Sequence, residues 1–284
     1  MSPPTIGLFA INSHACAEPE NAARIAALAE RLGYDSLWAG EHVAVPSPRV
    51  APSPMEPDEP ILDPFIALAH VAALTDRVRL GVGVVILPQR NPLVLAKQVA
   101  SLDVLCGGRL VLGVGVGYLE PEMRAVGVPM EGRGSRADEY LAAMRSLWEQ
   151  PAPAYRGRYV EFEGVDAHPR PVQRPLPVVV GGHTRAAHRR AARVGEGWYG
   201  FMVGLRAMAE QRELMREAIA EAGRERPLEV SVTPSRVLDR GVVDAYAELG
   251  VHRLIVAPPV GLSLEELVEF VERNAPDQVG GAPA

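Results

Sequence analysis

Eight short strand-like runs recur along this 284-residue chain, and each leads into a segment whose apolar positions have helical spacing. The most restrictive is RLGVGVVI over 79–86, which lacks the in–out alternation of a half-exposed strand and reads as one strand buried on both faces. Strands of that kind belong to parallel sheets, where each connection must cross over, usually through a helix. The strand-like runs fall at 5–11, 35–39, 79–86, 110–114, 177–182, 198–201, 228–237 and 253–256. Helical spacing fills 19–32, 64–74, 92–106, a short piece after Pro121, 135–148, 184–194, 205–222, 242–249 and 263–273. Such alternation admits an open doubly wound sheet or a closed barrel. Eight repeats in a chain close to the usual barrel length of about 250 residues select closure, an α/β fold of the (β/α)8 TIM-barrel kind.

Two segments break the rhythm. A small hairpin insertion is expected around Tyr155 to Val165, with Gly157 at its turn, and residues 44–63 carry many prolines and no period. Long irregular connections in compact domains are usually functional, so 44–63 is read as an active-site loop. One barrel domain is expected over 1–277, followed by a frayed tail over 278–284.

A formal charge of −6 argues against a nucleic-acid partner, since neutralising phosphates takes clustered positive charge. The two cysteines, Cys16 and Cys106, form no CxxC pair and are read as buried small hydrophobes. Neither a basic leader with a long apolar run nor a stretch of roughly 20 apolar residues is present, which leads to the expectation of a cytoplasmic protein with no membrane association. Scattered histidines without HxH or HExxH spacing argue against a metal centre.

Barrel enzymes place their chemistry where strands end and βα loops begin. Four clusters stand there. Glu41-His42 follows the second strand, where an imidazole can exchange protons near neutral pH, although a surface histidine beside a solvated glutamate has the same spacing. Gly81 and Gly83, with Val84 after them, permit a bulge and the close approach of a flat ring, or serve helix packing alone. Gly115-Val116-Gly117, with Tyr118 next, is not GxGxxG and reads as a strand end stripped of side chains, with space for a ligand above it. Gly181-Gly182-His183-Thr184 runs from strand to helix and suits a phosphate, with a plain threonine cap as the alternative.

Taken in order, GYDSLWAGEH (33–42), the glycine-bearing stretch 79–118, RGSRADEYLAAMRSLW (133–148) and VVVGGHTRAAHRRAARVGEGWYGF (178–201) resemble the luciferase-like monooxygenase superfamily, whose members use FMN or the deazaflavin coenzyme F420. The pattern is most similar to the small F420-dependent branch. The resemblance implies that His42 is catalytic and that Glu41, at the place of an aspartate in deazaflavin sugar-phosphate dehydrogenases, orients it. It further implies that Gly83 and Val84 form a bulge, often a non-prolyl cis peptide, under the central ring. Gly115, Val116 and Gly117 would line the cofactor, and Gly181 to Thr184 would hold its phosphate. Phe9, Tyr118 and Trp198 are the substrate-pocket candidates. Tyr118 stands where the sugar-phosphate enzymes have a catalytic glutamate, which makes glucose 6-phosphate an unsuitable substrate. The implied activity is F420-dependent hydride transfer to or from a small organic molecule. The alternatives are an FMN-dependent monooxygenase supplied with reduced flavin by a separate reductase, and a cofactor-binding protein without turnover. A homodimer is also implied.

Overall fold

Two helix starts in this chain are written into the sequence by a short polar residue followed by proline. Asp63 accepts the amides of Phe65 and Ile66 ahead of α2 (Pro64–Ala72), and Asn91 accepts those of Leu93 and Val94 ahead of α3 (Pro92–Leu105). In both, proline occupies the first helical position, where its missing N–H costs nothing. Each such cap stabilises its helix by about 1 kcal/mol and fixes where the preceding loop must end. The computed structural model describes residues 2–283.

The eight strands are β1 (Thr5–Phe9), β2 (Ser36–Ala39), β3 (Arg79–Val82), β4 (Leu110–Gly115), β5 (Val178–Gly181), β6 (Gly197–Gly200), β7 (Glu229–Val232) and β8 (Arg253–Val256). Each pairs in parallel with the next, for example Ala39↔Val82 and Leu80↔Leu110, and β8 returns to β1 through Leu8↔Val256, so the sheet closes. The fold is a (β/α)8 TIM barrel. Besides α2 and α3, the helices are α1 (Pro19–Arg31), α4 (Glu120–Ala125), α5 (Arg133–Glu149), α6 (Arg185–Val194), α7 (Leu205–Glu221), α8 (Arg240–Glu248), α9 (Leu264–Arg273) and α10 (Pro276–Val279). The expected hairpin is present as Tyr155–Arg156 paired antiparallel with Glu161–Phe162.

Two expectations are corrected. The run 79–86 is not one strand: it breaks after Val82, crosses a cis peptide at Gly83–Val84, and resumes at Val85–Ile86 against Val114 and Gly115. Residues 278–282 of the tail expected to fray are tied down: the Gly281 amide donates to the Pro276 carbonyl, and the Ala282 amide to that of Pro4, beside a bridge from Ala282 to Thr5.

The barrel interior is filled by aromatic rings and branched aliphatic side chains. Trp38 and Tyr199 stack at 5.5 Å with Val111, Val179 and Ile255 around them, and Phe9 and Val84 close over this cluster. Gly81 exists for that packing, because a Cβ there would lie 2.3 Å from the Trp38 ring. The flat ring resting on Gly81 is therefore the protein's own indole. At the opposite, N-terminal end, Arg253 lies buried, with Nε donating to Asp35 and Nη1 to Glu229 and Ser231. A guanidinium buried there survives because two carboxylates neutralise it.

Candidate functional site

His42 leaves the end of β2 and its Nδ1 lies 3.0 Å from Glu122 Oε2, a carboxylate on α4 that is itself buried. The other oxygen of Glu122 accepts the Val43 amide at 2.6 Å and the Ala44 amide at 3.4 Å, the first residues of the proline-rich loop. One carboxylate thus anchors both the imidazole and the root of the loop. The far end of the loop is fixed by Asn12, whose side-chain amide donates to the carbonyls of Gly40 and Leu62. Glu122 was not among the sequence candidates. It meets His42 across 80 positions, and no local spacing announces such a pair.

Glu41 does something else. Its carboxylate accepts the Ile86 amide at 2.5 Å and two N–H groups of Arg90, whose Nη2 also reaches Asp63 Oδ2 at 2.6 Å. Burial pushes the Glu41 carboxyl upward, against the pull of the Arg90 guanidinium. The expectation that Glu41 orients His42 is corrected: Glu41 braces the resumed strand at 85–86, and Glu122 takes the imidazole. Neighbouring side chains on an extended segment point to opposite sides, which separates the pair.

The glycines at the ends of β4 and β5 have a physical cause. A Cβ on Gly115 would lie 2.7 Å from Val84 Cγ2, one on Gly181 2.8 Å from Val84 Cγ1, and one on Gly113 3.2 Å from Val84 Cγ1. The space above these strands is therefore taken by the Val84 isopropyl group, and what the rim offers a ligand is the outer side of Val84, which remains partly exposed. At Gly113 the same Cβ would also stand 1.9 Å from the Val82 carbonyl oxygen. Backbone cannot swing aside, so Gly113→Ala is expected to destabilise the fold by about 3 kcal/mol, the upper end for overpacking, read as a lowered urea midpoint with an unchanged slope. An unchanged midpoint would contradict this packing account.

Gly182, His183 and Thr184 are exposed, and the Thr184 hydroxyl accepts the Ala187 amide at 3.2 Å as the N-cap of α6. The turn is held from behind by Trp198, whose indole N–H donates to the Gly182 carbonyl at 2.7 Å. The Ala187 amide is taken by the Thr184 hydroxyl, and the positive end of the α6 dipole at this exposed turn favours an anion. Arg185 bridges to Glu217 at 3.0 Å.

Trp198, expected to line a substrate pocket, is fully buried against His188 on the outside of the sheet. Strand alternation gives the barrel interior to Tyr199 instead, where its hydroxyl meets Thr233 at 2.7 Å. Phe9 packs on Phe201 at 5.3 Å at the inner rim, and Tyr118 stands edge-on to His42 at 6.0 Å. Tyr118 is half exposed, and burial of the remainder, with Glu122 nearby, raises its phenol pKa. Gly117, just before Tyr118, has φ +80° and lies close against Met123 and Ile86, where a Cβ would stand 2.8 Å from Met123 Sδ and 2.9 Å from Ile86 Cγ2. Among the described residues no group of three or more His, Cys, Asp or Glu is placed to hold a metal ion, and no helix is long and apolar enough to cross a membrane.

A sequence model of the family described as luciferase-like monooxygenase matches residues 5–275. An uncharacterised protein of Mycobacterium tuberculosis is 34% identical over 279 residues, covering 95% of this chain and 96% of that one. The FMNH(2)-dependent dimethylsulfone monooxygenase of Pseudomonas putida is 34% identical over 139 residues, 47% of this chain and 38% of that enzyme. Among solved structures, the coenzyme F420 dependent tetrahydromethanopterin reductase from Methanopyrus kandleri superposes with a TM-score of 0.78 at 16% identity, covering 98% of this chain and 100% of that one. At that identity the superposition speaks for the fold.

Proposed function

The chain belongs to the luciferase-like monooxygenase family, and from that premise we propose that it is an oxidoreductase that binds coenzyme F420 and moves a hydride to or from a small organic substrate. The carrying observation is the order of three features at the strand ends: a carboxylate-held imidazole past β2, the partly exposed Val84 past the paired strand β3, and Gly181, the first residue of the exposed 181–184 turn, next to Val84. A planar tricyclic group with an anionic tail needs those three supports, an acid–base group, an apolar platform and an anion hold, in that order.

The residues fit the group. Gly83 and Val84 would underlie the ring, with Gly115, Val116 and Gly117 along its edge, and Gly181, Gly182, His183 and Thr184 would hold the tail phosphate. When bound, the deazaflavin supplies the carbon that gives or accepts hydride. Everything else falls to the chain: His42 holds or moves a proton, Phe9 and Tyr118 flank the substrate, and the 44–63 loop excludes water from the reacting face.

The similarity to an FMNH(2)-dependent enzyme supports a second reading, an FMN-dependent monooxygenase fed by a separate reductase. Titrating the purified protein with F420 and with FMN, followed by fluorescence, separates the two: saturable F420 binding with at least about tenfold weaker FMN binding, or about 1.4 kcal/mol, is the expected result. The reverse order would replace the first reading by the second.

A homodimer belongs to the same reading. Ile66 on α2 and Val94 and Leu105 on α3 lie more than half exposed on two helices that pack together, and a second copy is the proposed cover. Light scattering is expected to give twice the 30.5 kDa chain mass, and Leu105→Glu to shift it toward the monomer; a monomeric wild type would remove the proposal.

A further inference from the structure

We propose that Glu122 is a positioning residue that sets the tautomer of His42, fixing the imidazole proton on Nδ1 and leaving Nε2 as the bare nitrogen that the ring presents to a ligand. Donors and acceptors decide it. An ionised carboxylate only accepts. Oε1 of Glu122 is committed to the Val43 and Ala44 amides, which lock the group in orientation, and Oε2 faces His42 Nδ1 at 3.0 Å. The contact is a hydrogen bond only if Nδ1 carries the proton, so the neutral ring is held with its lone pair on Nε2. That nitrogen has no protein partner among the described residues, and it is not among the buried polar atoms left unpaired.

Within the proposed redox function, on which this consequence rests, a neutral His42 can then take up a proton at Nε2 and return it there, and Glu122 stabilises the cation that forms. Nothing in the sequence singles out Glu122 for this part. Glu41, adjacent in sequence, is withdrawn from it by Arg90 and the Ile86 amide.

The test needs neither cofactor nor turnover. With ¹⁵N-labelled histidine, long-range ¹H–¹⁵N correlation spectra at a pH where the rings are neutral distinguish a protonated from a bare ring nitrogen. His42 is identified by the signals that vanish in His42→Gln. Wild type is expected to show Nδ1 protonated and Nε2 bare. In Glu122→Gln the side-chain carbonyl stays with the Val43 and Ala44 amides, the NH2 group turns to Nδ1, and the two nitrogen signals are expected to exchange type. The other six of the seven histidines report whether the variant is folded, and the wild-type spectrum decides by itself if it is not. A wild-type ring protonated on Nε2, or one tautomer shared by wild type and folded Glu122→Gln, would overturn the proposal. Failure of F420 to bind would remove the F420 reading of the site and leave the tautomer result standing.

Discussion

His42→Ala is expected to lower turnover by roughly 10²- to 10⁴-fold while cofactor affinity stays within a few-fold of wild type, the range for loss of a general acid–base group. The imidazole touches Glu122 and Tyr118 and supports no strand, so its removal leaves the barrel intact. Val84 and the 181–184 turn, the proposed binding elements, are untouched by the change. Steady-state rates compared with direct cofactor titration separate the two effects. Full turnover in the variant would leave His42 without a chemical part and favour the reading of a cofactor-binding protein without turnover; lost affinity would make it a binding residue.

Arg90→Met is expected to cost about 3–5 kcal/mol of stability, since it strands the Glu41 carboxylate, buried and without its counter-charge. The same change releases Asp63 from Arg90 and removes the guanidinium stacked 5.2 Å from the Phe65 ring, so the start of α2 loosens as well. Replacing both partners by apolar residues of similar volume, Glu41→Met with Arg90→Met, is expected to recover most of the loss, because no unpaired charge then remains inside. Urea unfolding of the two single variants and the double variant measures this directly. Equal destabilisation by all three would show that the ion pair itself stabilises the barrel, and the stranded-charge explanation would fail.

Much of the fold was legible because periodicity is a physical requirement. A strand buried on both faces must be apolar throughout and a surface helix apolar on one face, so the strand runs and helices announced themselves by period, and the hairpin by the glycine at its turn. What the pattern could not carry was side-chain direction. Trp198 and Tyr199 are adjacent aromatic residues in one strand, and only the barrel's curvature decides that Tyr199 enters and Trp198 leaves. The glycines at the end of β4 were legible as a bare strand end, but the group occupying the bare space, Val84, comes from the break after β3. The Glu41-His42 pair was visible as two ionisable neighbours, whereas their true partners, Arg90 and Glu122, lie 49 and 80 positions away. Long-range pairing of single polar groups leaves no periodic trace.

A planar redox cofactor resting on Val84, between His42 and the 181–184 turn, is what gives every part of the rim its proposed role. Methyl NMR of valine-labelled protein during titration with F420 tests that placement, with the Val84 signals assigned by Val84→Ala. On saturation the Val84 methyls are expected to show the largest ring-current shifts in the spectrum, well beyond those of Val111 and Val179 deeper in the barrel. Saturable binding that leaves the Val84 methyl signals unmoved would contradict it.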